Sequence, residues 1–239
     1  MQPRKIEVKS AIIRVYTGLE RLHLVLAEVA LELVPEEIRA HPSVRKYAAR
    51  LGKKPSRMLL DRSYHHWAMR YLPDSMKRGR PDIVHFTLLE ALGAPLNHSG
   101  KLRVWVSTYD GYIIEVDSRT RLPRTYERFK GLVEKLYATG GSEGLLRMRK
   151  ASLQALLAEI KPDTVYLLSE EGEKIDWDSL GMMMARNEKP TVLVGAFPYS
   201  SFRPETTRLA ERIFSIYDRP LEAWVVVSRL LCTLERIQK

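Results

Sequence analysis

Thr164-Val-Tyr-Leu-Leu168 and Thr191-Val-Leu-Val194 are short apolar runs, the second leading into Gly195-Ala-Phe-Pro-Tyr-Ser200. Both have strand composition and are bounded by turn formers. Trp177 to Asn187 between them reads as a helix. Ile213 to Ile216 reads as a third strand, and Leu221 to Ile237 as a long closing helix. Strand, loop and helix in repetition predict a parallel α/β sheet. Ligands on such sheets bind beyond the carboxyl ends of the strands. Leu168–Gly172, Gly195–Ser200 and Ile216–Leu221 are therefore the candidate binding loops.

Working outward, Leu22 to Ala27 reads as a buried strand. Glu28 to Val34 is expected as a short helix stopped by Pro35, although the periodicity also allows one amphipathic helix across both. Residues 1–20 are weakly patterned and could add an N-terminal strand. Pro42 to Leu51 is predicted helical, with Gly52 as its stop. Arg57 to Asp61 reads as a strand and Ser63 to Tyr71 as a helix. Leu102–Val106 and Tyr112–Val116 read as strands around the hairpin turn Asp110-Gly111. A helix is expected through Tyr137, a flexible loop over Gly140–Gly144, and a helix from Leu145 to Ile160.

The 239 residues suffice for one large domain or two small ones, and 45% hydrophobic with 28% charged is a globular composition. No long uncharged apolar run marks a transmembrane helix, and the start of the chain lacks the apolar core of a signal peptide. The single cysteine, Cys232, excludes an internal disulfide and a cysteine-rich zinc site. These features lead us to expect an intracellular protein. The net charge of +10 points to a polyanionic partner, most simply nucleic acid.

Neither a Gly-x-Gly-x-x-Gly nor a Gly-Lys-Ser/Thr phosphate loop occurs, which argues against an ordinary dinucleotide or ATP enzyme. His65 and His66 are adjacent and so diverge on a helix, which makes them poor co-ligands, and no metal site is expected. Cys232 and Met182 to Met184 read as core residues. In Arg78-Gly-Arg-Pro-Asp-Ile-Val-His85, Pro81 suits the first position of a helix and Asp82 its first turn. Arg80 then stands just outside the helix with a carboxylate two residues away. Such an arginine is either a held grip for phosphate or a base edge, or an ordinary surface ion pair. Arg121, Arg124 and Arg128 share one helical face if the helix begins by Pro123. They would cradle an RNA backbone or form a solvated basic face. Phe129 is expected to pack inward, whereas Tyr126 could stack a base or pack.

Leu59-Leu60-Asp61-Arg62-Ser63-Tyr64-His65-His66, Arg78-Gly-Arg-Pro-Asp-Ile-Val-His85, Gly111-Tyr-Ile-Ile-Glu-Val116, Arg121-Leu-Pro-Arg124, Val194-Gly-Ala196 and Arg219-Pro-Leu221 form an ordered series. From about Leu22 to its end the chain resembles the nucleolar essential protein 1 family of ribosome-biogenesis methyltransferases, in its short, archaeal-like form. The resemblance implies a single SPOUT domain over residues 1–239, with helices on both faces of the sheet. It also implies a hairpin extension near 101–117 and a trefoil-knotted, cofactor-binding part over about 160–239. The implied protein is a cytoplasmic homodimer, nucleolar only in a eukaryote. It would use S-adenosylmethionine to methylate N1 of a pseudouridine in a small-subunit rRNA hairpin.

The resemblance further carries over Leu168, Gly195, Ser200, Phe214, Ser215, Ile216, Tyr217, Asp218, Arg219 and Leu221 as cofactor contacts. The family often has glycine where Ser200 stands. Arg80, Arg121, Arg124 and Arg128 are implied as RNA contacts, with Asp82 steadying Arg80 for catalysis. Asp61 and water are the candidate proton acceptors. A non-catalytic RNA-binding assembly factor is the alternative reading.

Overall fold

The computed structural model describes residues 18–238, so the strand expected in residues 1–20 falls almost wholly outside the described residues. The strands are β1 (Leu22–Val29), β2 (Leu102–Thr108), β3 (Tyr112–Val116), β4 (Ser142–Glu143), β5 (Leu146–Lys150), β6 (Val165–Lys174), β7 (Thr191–Gly195) and β8 (Arg212–Ser215). They form one sheet in the order β4-β5-β3-β2-β1-β7-β6-β8. Strands β2, β1, β7, β6 and β8 are mutually parallel, and β3, β5 and β4 continue the sheet antiparallel. The helices are α1 (Pro42–Leu51), α2 (Arg62–Met69), α3 (Pro81–Gly93), α4 (Pro95–His98), α5 (Tyr126–Ala138), α6 (Leu153–Ile160), α7 (Trp177–Ala185), α8 (Pro204–Thr207) and α9 (Ala223–Ile237).

β1 is buried along its whole length because both its faces are covered. Leu22, Leu24 and Leu26 pack beneath α3, α5, α7 and α9. Val25 and Ala27 pack on the other face, with Leu153, Leu156 and Leu157 of α6. α1 and α2 close a third, smaller core around Val34, Val44, Met58, Leu60 and Met69.

The hairpin expected over about 101–117 is present as β2 and β3, with β2 beside β1 in the middle of the sheet and Leu102 opposite Leu22. Several expectations need correction. Glu28 to Val34 is not helical. β1 runs to Val29, the Ala30 N–H donates to Ala196 O, and Val34 N–H donates to Met58 O. Long-range pairing takes the backbone groups a helix would have used. Arg57 to Asp61 contributes only a bridge, between Leu33 and Leu59. Leu145 to Ile160 is not one helix, because Leu146-Arg-Met-Arg-Lys150 pairs with β3. Leu146 and Met148 point inward and Arg147 and Arg149 outward, a strand's alternation.

The segment Ser169–Gly172, expected as a loop, is part of β6. Leu168 and Glu173 both oppose Phe214, so the strand bulges between them. Gly172 makes this possible, because a Cβ there would lie 2.6 Å from the Phe214 backbone. On the outer surface Cys232 is exposed rather than in the core. Met182 is 38% exposed, while Met184 is buried as expected.

His23 carries a pH dependence. It is buried and its Nδ1 accepts from the Trp105 indole N–H at 3.2 Å. Burial, with the charges of Arg21, Arg103 and Lys189, lowers its pKa from 6.5 to about 4. The unfolded chain takes up that proton below about 6.5 and the fold does not, so stability is lost as pH falls from 6.5 toward 4. His23→Gln is expected to lose about 2 kcal/mol less stability than the native chain between about pH 7 and 4.5. Urea unfolding at both pH values measures this.

Candidate active site

The carboxyl ends of β7 and β8 flank β6 where it bulges after Leu168, and the loops leaving β7 and β8 close a cavity of about 550 Å³ against it. That is the size of a pocket for a cofactor or drug-sized ligand. Leu168, Gly195, Ser200, Ser215, Ile216, Tyr217, Arg219 and Leu221 line it. Two expected residues do not. Phe214 is buried beneath, stacked on Tyr166, because alternation turns it to the core while Ser215 faces the cavity. Asp218 points outward and pairs with Lys174.

The lining also includes residues that sequence reasoning missed. Ser169 and Glu170 on β6, and Phe197, Pro198 and Tyr199 in the loop after β7, have no motif to single them out. Ile83 on α3 and Glu222, Ala223 and Val226 around the start of α9 join them only through tertiary packing. The β7 loop is held in an unusual form. Ser200 has φ 149°, a backbone conformation natural to glycine. A Cβ on Gly195 would lie 2.8 Å from the Phe197 ring and 2.9 Å from that of Phe202, so only glycine lets both rings close over the strand end.

A buried ion pair ties this loop to the segment that precedes α3. Lys77 meets the Glu28 carboxylate, donates to Ser201 O at 2.7 Å, and lies 4.1 Å from the centre of the Phe197 ring. Glu28 also accepts from the Arg203 N–H at 2.9 Å. Next in sequence, Arg78 grips buried Glu32 with two hydrogen bonds of 2.7 Å. This anchored turn delivers Arg80 to the N-terminus of α3. There, Nε and Nη2 of Arg80 donate to Asp82 at 2.8 and 2.6 Å. Its Nη1 has no partner among the described residues, and the side chain is half-buried. The hydrogen bond to Asp82, with the Asp82 and Glu222 charges, raises the pKa of Arg80 against the effect of burial.

Arg121 and Arg124 are placed beside this helix by a different device. His85 on α3 donates from Nε2 to Pro123 O at 2.7 Å and stacks on Phe129, with ring centres 4.4 Å apart. α5 begins at Tyr126, so Arg121 and Arg124 sit in the turn before it and not on one helical face with Arg128. All three are exposed, and no carboxylate pairs with them among the described residues. Phe129 is buried, as expected.

Tyr126 packs rather than stacking a base. Its hydroxyl donates to Asp61 at 2.8 Å, and burial raises its pKa. Asp61 also accepts from Lys130 at 3.1 Å and caps α2 through the Ser63 N–H. With both oxygens committed and the side chain buried, Asp61 is a structural carboxylate. His65 accepts the Asp61 N–H through Nδ1 at 3.0 Å, a structural role.

This geometry agrees with known proteins. The crystal structure of Archaeoglobus fulgidus Nep1 bound to S-adenosylhomocysteine matches with a TM-score of 0.81 at 38% identity, covering 91% of this chain and 99% of that one. Fold and sequence together place the chain among α/β methyltransferases. The Thermococcus kodakarensis protein named ribosomal RNA small subunit methyltransferase Nep1 is 48% identical over 219 residues, 90% of this chain and 97% of that protein. The protein of that name from Staphylothermus marinus is 41% identical over 223 residues, 91% and 96% of the two chains. Residues 24–235 match the family model described as EMG1/NEP1 methyltransferase, and the chain belongs to that family.

Proposed function

We propose that the chain transfers a methyl group from S-adenosylmethionine to N1 of a pseudouridine in a small-subunit rRNA hairpin, working in the cytoplasm as a homodimer with a knotted C-terminal part. The observation that carries this reading is the cavity where β6, β7 and β8 meet, beside a braced arginine, in a chain 38% identical to a protein whose structure holds S-adenosylhomocysteine.

The cavity suits that cofactor. Leu168, Val194, Ile216 and Val226 offer apolar walls for a nucleoside base, and the carboxylates Glu170 and Glu222 complement a sulfonium charge. S-adenosylmethionine supplies the electrophilic methyl group when bound, so the protein's task is to position and exclude water. Arg80 keeps Nη1 for the substrate while Asp82 fixes its plane. It holds negative charge that develops on the uracil ring as N1 loses its proton. Both Asp61 oxygens are held by the fold, so the proton leaves to water. Arg121, Arg124 and Arg128 hold the backbone and set the register of the hairpin. A hairpin-loop base is already largely unstacked, so presenting it to the cavity costs little.

Two short hairpins that differ only in uridine or pseudouridine at one loop position test the reading, with the product read by mass spectrometry. One methyl group added to the pseudouridine hairpin alone is expected. Tight binding without methylation, repeated on a longer rRNA fragment, would make the protein an assembly factor instead. Arg124→Ala is expected to weaken hairpin binding and flatten the slope of log affinity against log salt by about one. An unchanged slope in a salt titration removes Arg124 from the phosphate contacts.

A further inference from the structure

The chain's positive charge is not evenly spread. Between Arg39 and Leu72 stand nine of its 39 Lys and Arg residues but one of its 29 Asp and Glu residues, and that one, Asp61, is buried. The remainder of the chain is nearly balanced, at 30 against 28. Almost the whole net charge of +10 therefore lies on the α1–α2 unit. Arg45, Lys46, Arg50, Lys54, Arg57 and Arg70 are exposed, and none has a carboxylate partner among the described residues.

Aromatic side chains lie among these charges. Trp67 is 56% exposed and Tyr71 69%. Packing does not explain leaving two large rings in water on a surface this polar. Each has a cationic or imidazole neighbour. The Arg70 guanidinium lies 4.6 Å from the Trp67 ring centre, and His66 5.0 Å from it. His41 lies 6.0 Å from Tyr71, and Arg45 follows one turn after His41 on α1. The patch also continues the site already described. The Arg62 N–H at the start of α2 donates to Gly79 O at 2.8 Å, next to Arg80.

We infer that α1 and α2 form a second RNA surface, which takes single-stranded nucleotides flanking the target hairpin. Exposed rings interleaved with unpaired cations are the chemistry of a single-strand platform, where bases stack and phosphates meet arginine and lysine. No carboxylate is exposed between Arg39 and Leu72, those of Glu36, Glu37 and Asp74 lying at its borders, which disfavours a basic protein partner on the patch itself. The inference rests on the RNA reading above and extends it from the hairpin to its flanks. The surface sets affinity and register and takes no part in the chemistry.

The test uses the full chain and two RNAs, a blunt hairpin and the same hairpin with a tail of about ten uridines, a length within the usual single-strand site size. Fluorescence anisotropy at two salt concentrations reads binding. The tail is expected to raise affinity roughly tenfold or more in the native protein and to steepen the salt slope. The double variant Trp67→Ala/Tyr71→Ala, and separately Arg45→Ala/Arg70→Ala, should lose that gain. Both should bind the blunt hairpin within about twofold of native, because the altered side chains are exposed. The inference is overturned if the tail adds nothing to native binding, if the variants keep its gain, or if they weaken the blunt hairpin equally. Failure of the native protein to bind the blunt hairpin while holding the tail would instead sink the hairpin reading and leave this surface standing.

Discussion

Arg80→Ala is expected to slow methyl transfer about a hundredfold to a thousandfold, the loss typical of removing a preorganised donor to developing charge. Binding of S-adenosylhomocysteine should change little, since Arg80 stands at the N-terminus of α3 and does not line the cavity. The reason for so large an effect is the rigidity of the group. Asp82 holds two of the three guanidinium nitrogens, so the third is aimed before any substrate arrives. Arg80→Lys should recover little, because an ammonium cannot engage Asp82 bidentately and still present a fixed donor. Single-turnover rates and calorimetric titration of S-adenosylhomocysteine measure the two halves separately. A matching fall in cofactor affinity would refute the assignment.

Arg78→Met should have the largest effect on stability, about 3–5 kcal/mol, because it strands the buried carboxylate of Glu32. Arg78 supplies Glu32 with two hydrogen bonds, donates to Pro73 O at 3.1 Å and stacks on Tyr109. Even in this company burial raises the pKa of Glu32. Without Arg78 the carboxylate would take up a proton rather than stay charged in the core. The unfolding midpoint should drop by about 10 °C or more. Glu32→Leu/Arg78→Met should recover much of the loss, since replacing both partners removes the stranded charge. If the single variant melts within about 2 °C of native, the pair does not hold the turn that carries Arg80.

Much of this arrangement could be read from the chain, and the successes share a cause. Pro42 with Gly52, Pro81 with Asp82, and Asp110-Gly111 are local punctuation, and each element they bound is found where expected. The apolar runs at Leu22, Thr164 and Thr191 are strands because nothing so apolar can face water in a sheet covered on both sides. Two of the three candidate loops follow from those strands by direction alone, while Ser169–Gly172 continues β6 past a bulge that pairing with β8 imposes. The failures also share a cause. Glu28 to Val34 and Leu145 to Lys150 are rich in helix formers, and distant partners override that preference. Ala196 and Met58 claim the first segment and β3 claims the second. Lys77 and Arg78 look like ordinary surface cations in the sequence. Their partners Glu28 and Glu32 stand more than 40 residues earlier, and no spacing rule joins them.

The position of β1 bears on how the protein is made. Its two neighbours are β2, which begins about 80 residues later, and β7, which ends only at Gly195. During synthesis the innermost strand of the sheet therefore waits with one edge open until four-fifths of the chain has been translated. An apolar strand with an open edge is a template for pairing with another chain. Refolding in vitro should be slow, limited by closure of that long loop, and yields should fall with protein concentration. The nascent chain is accordingly a natural client for chaperones.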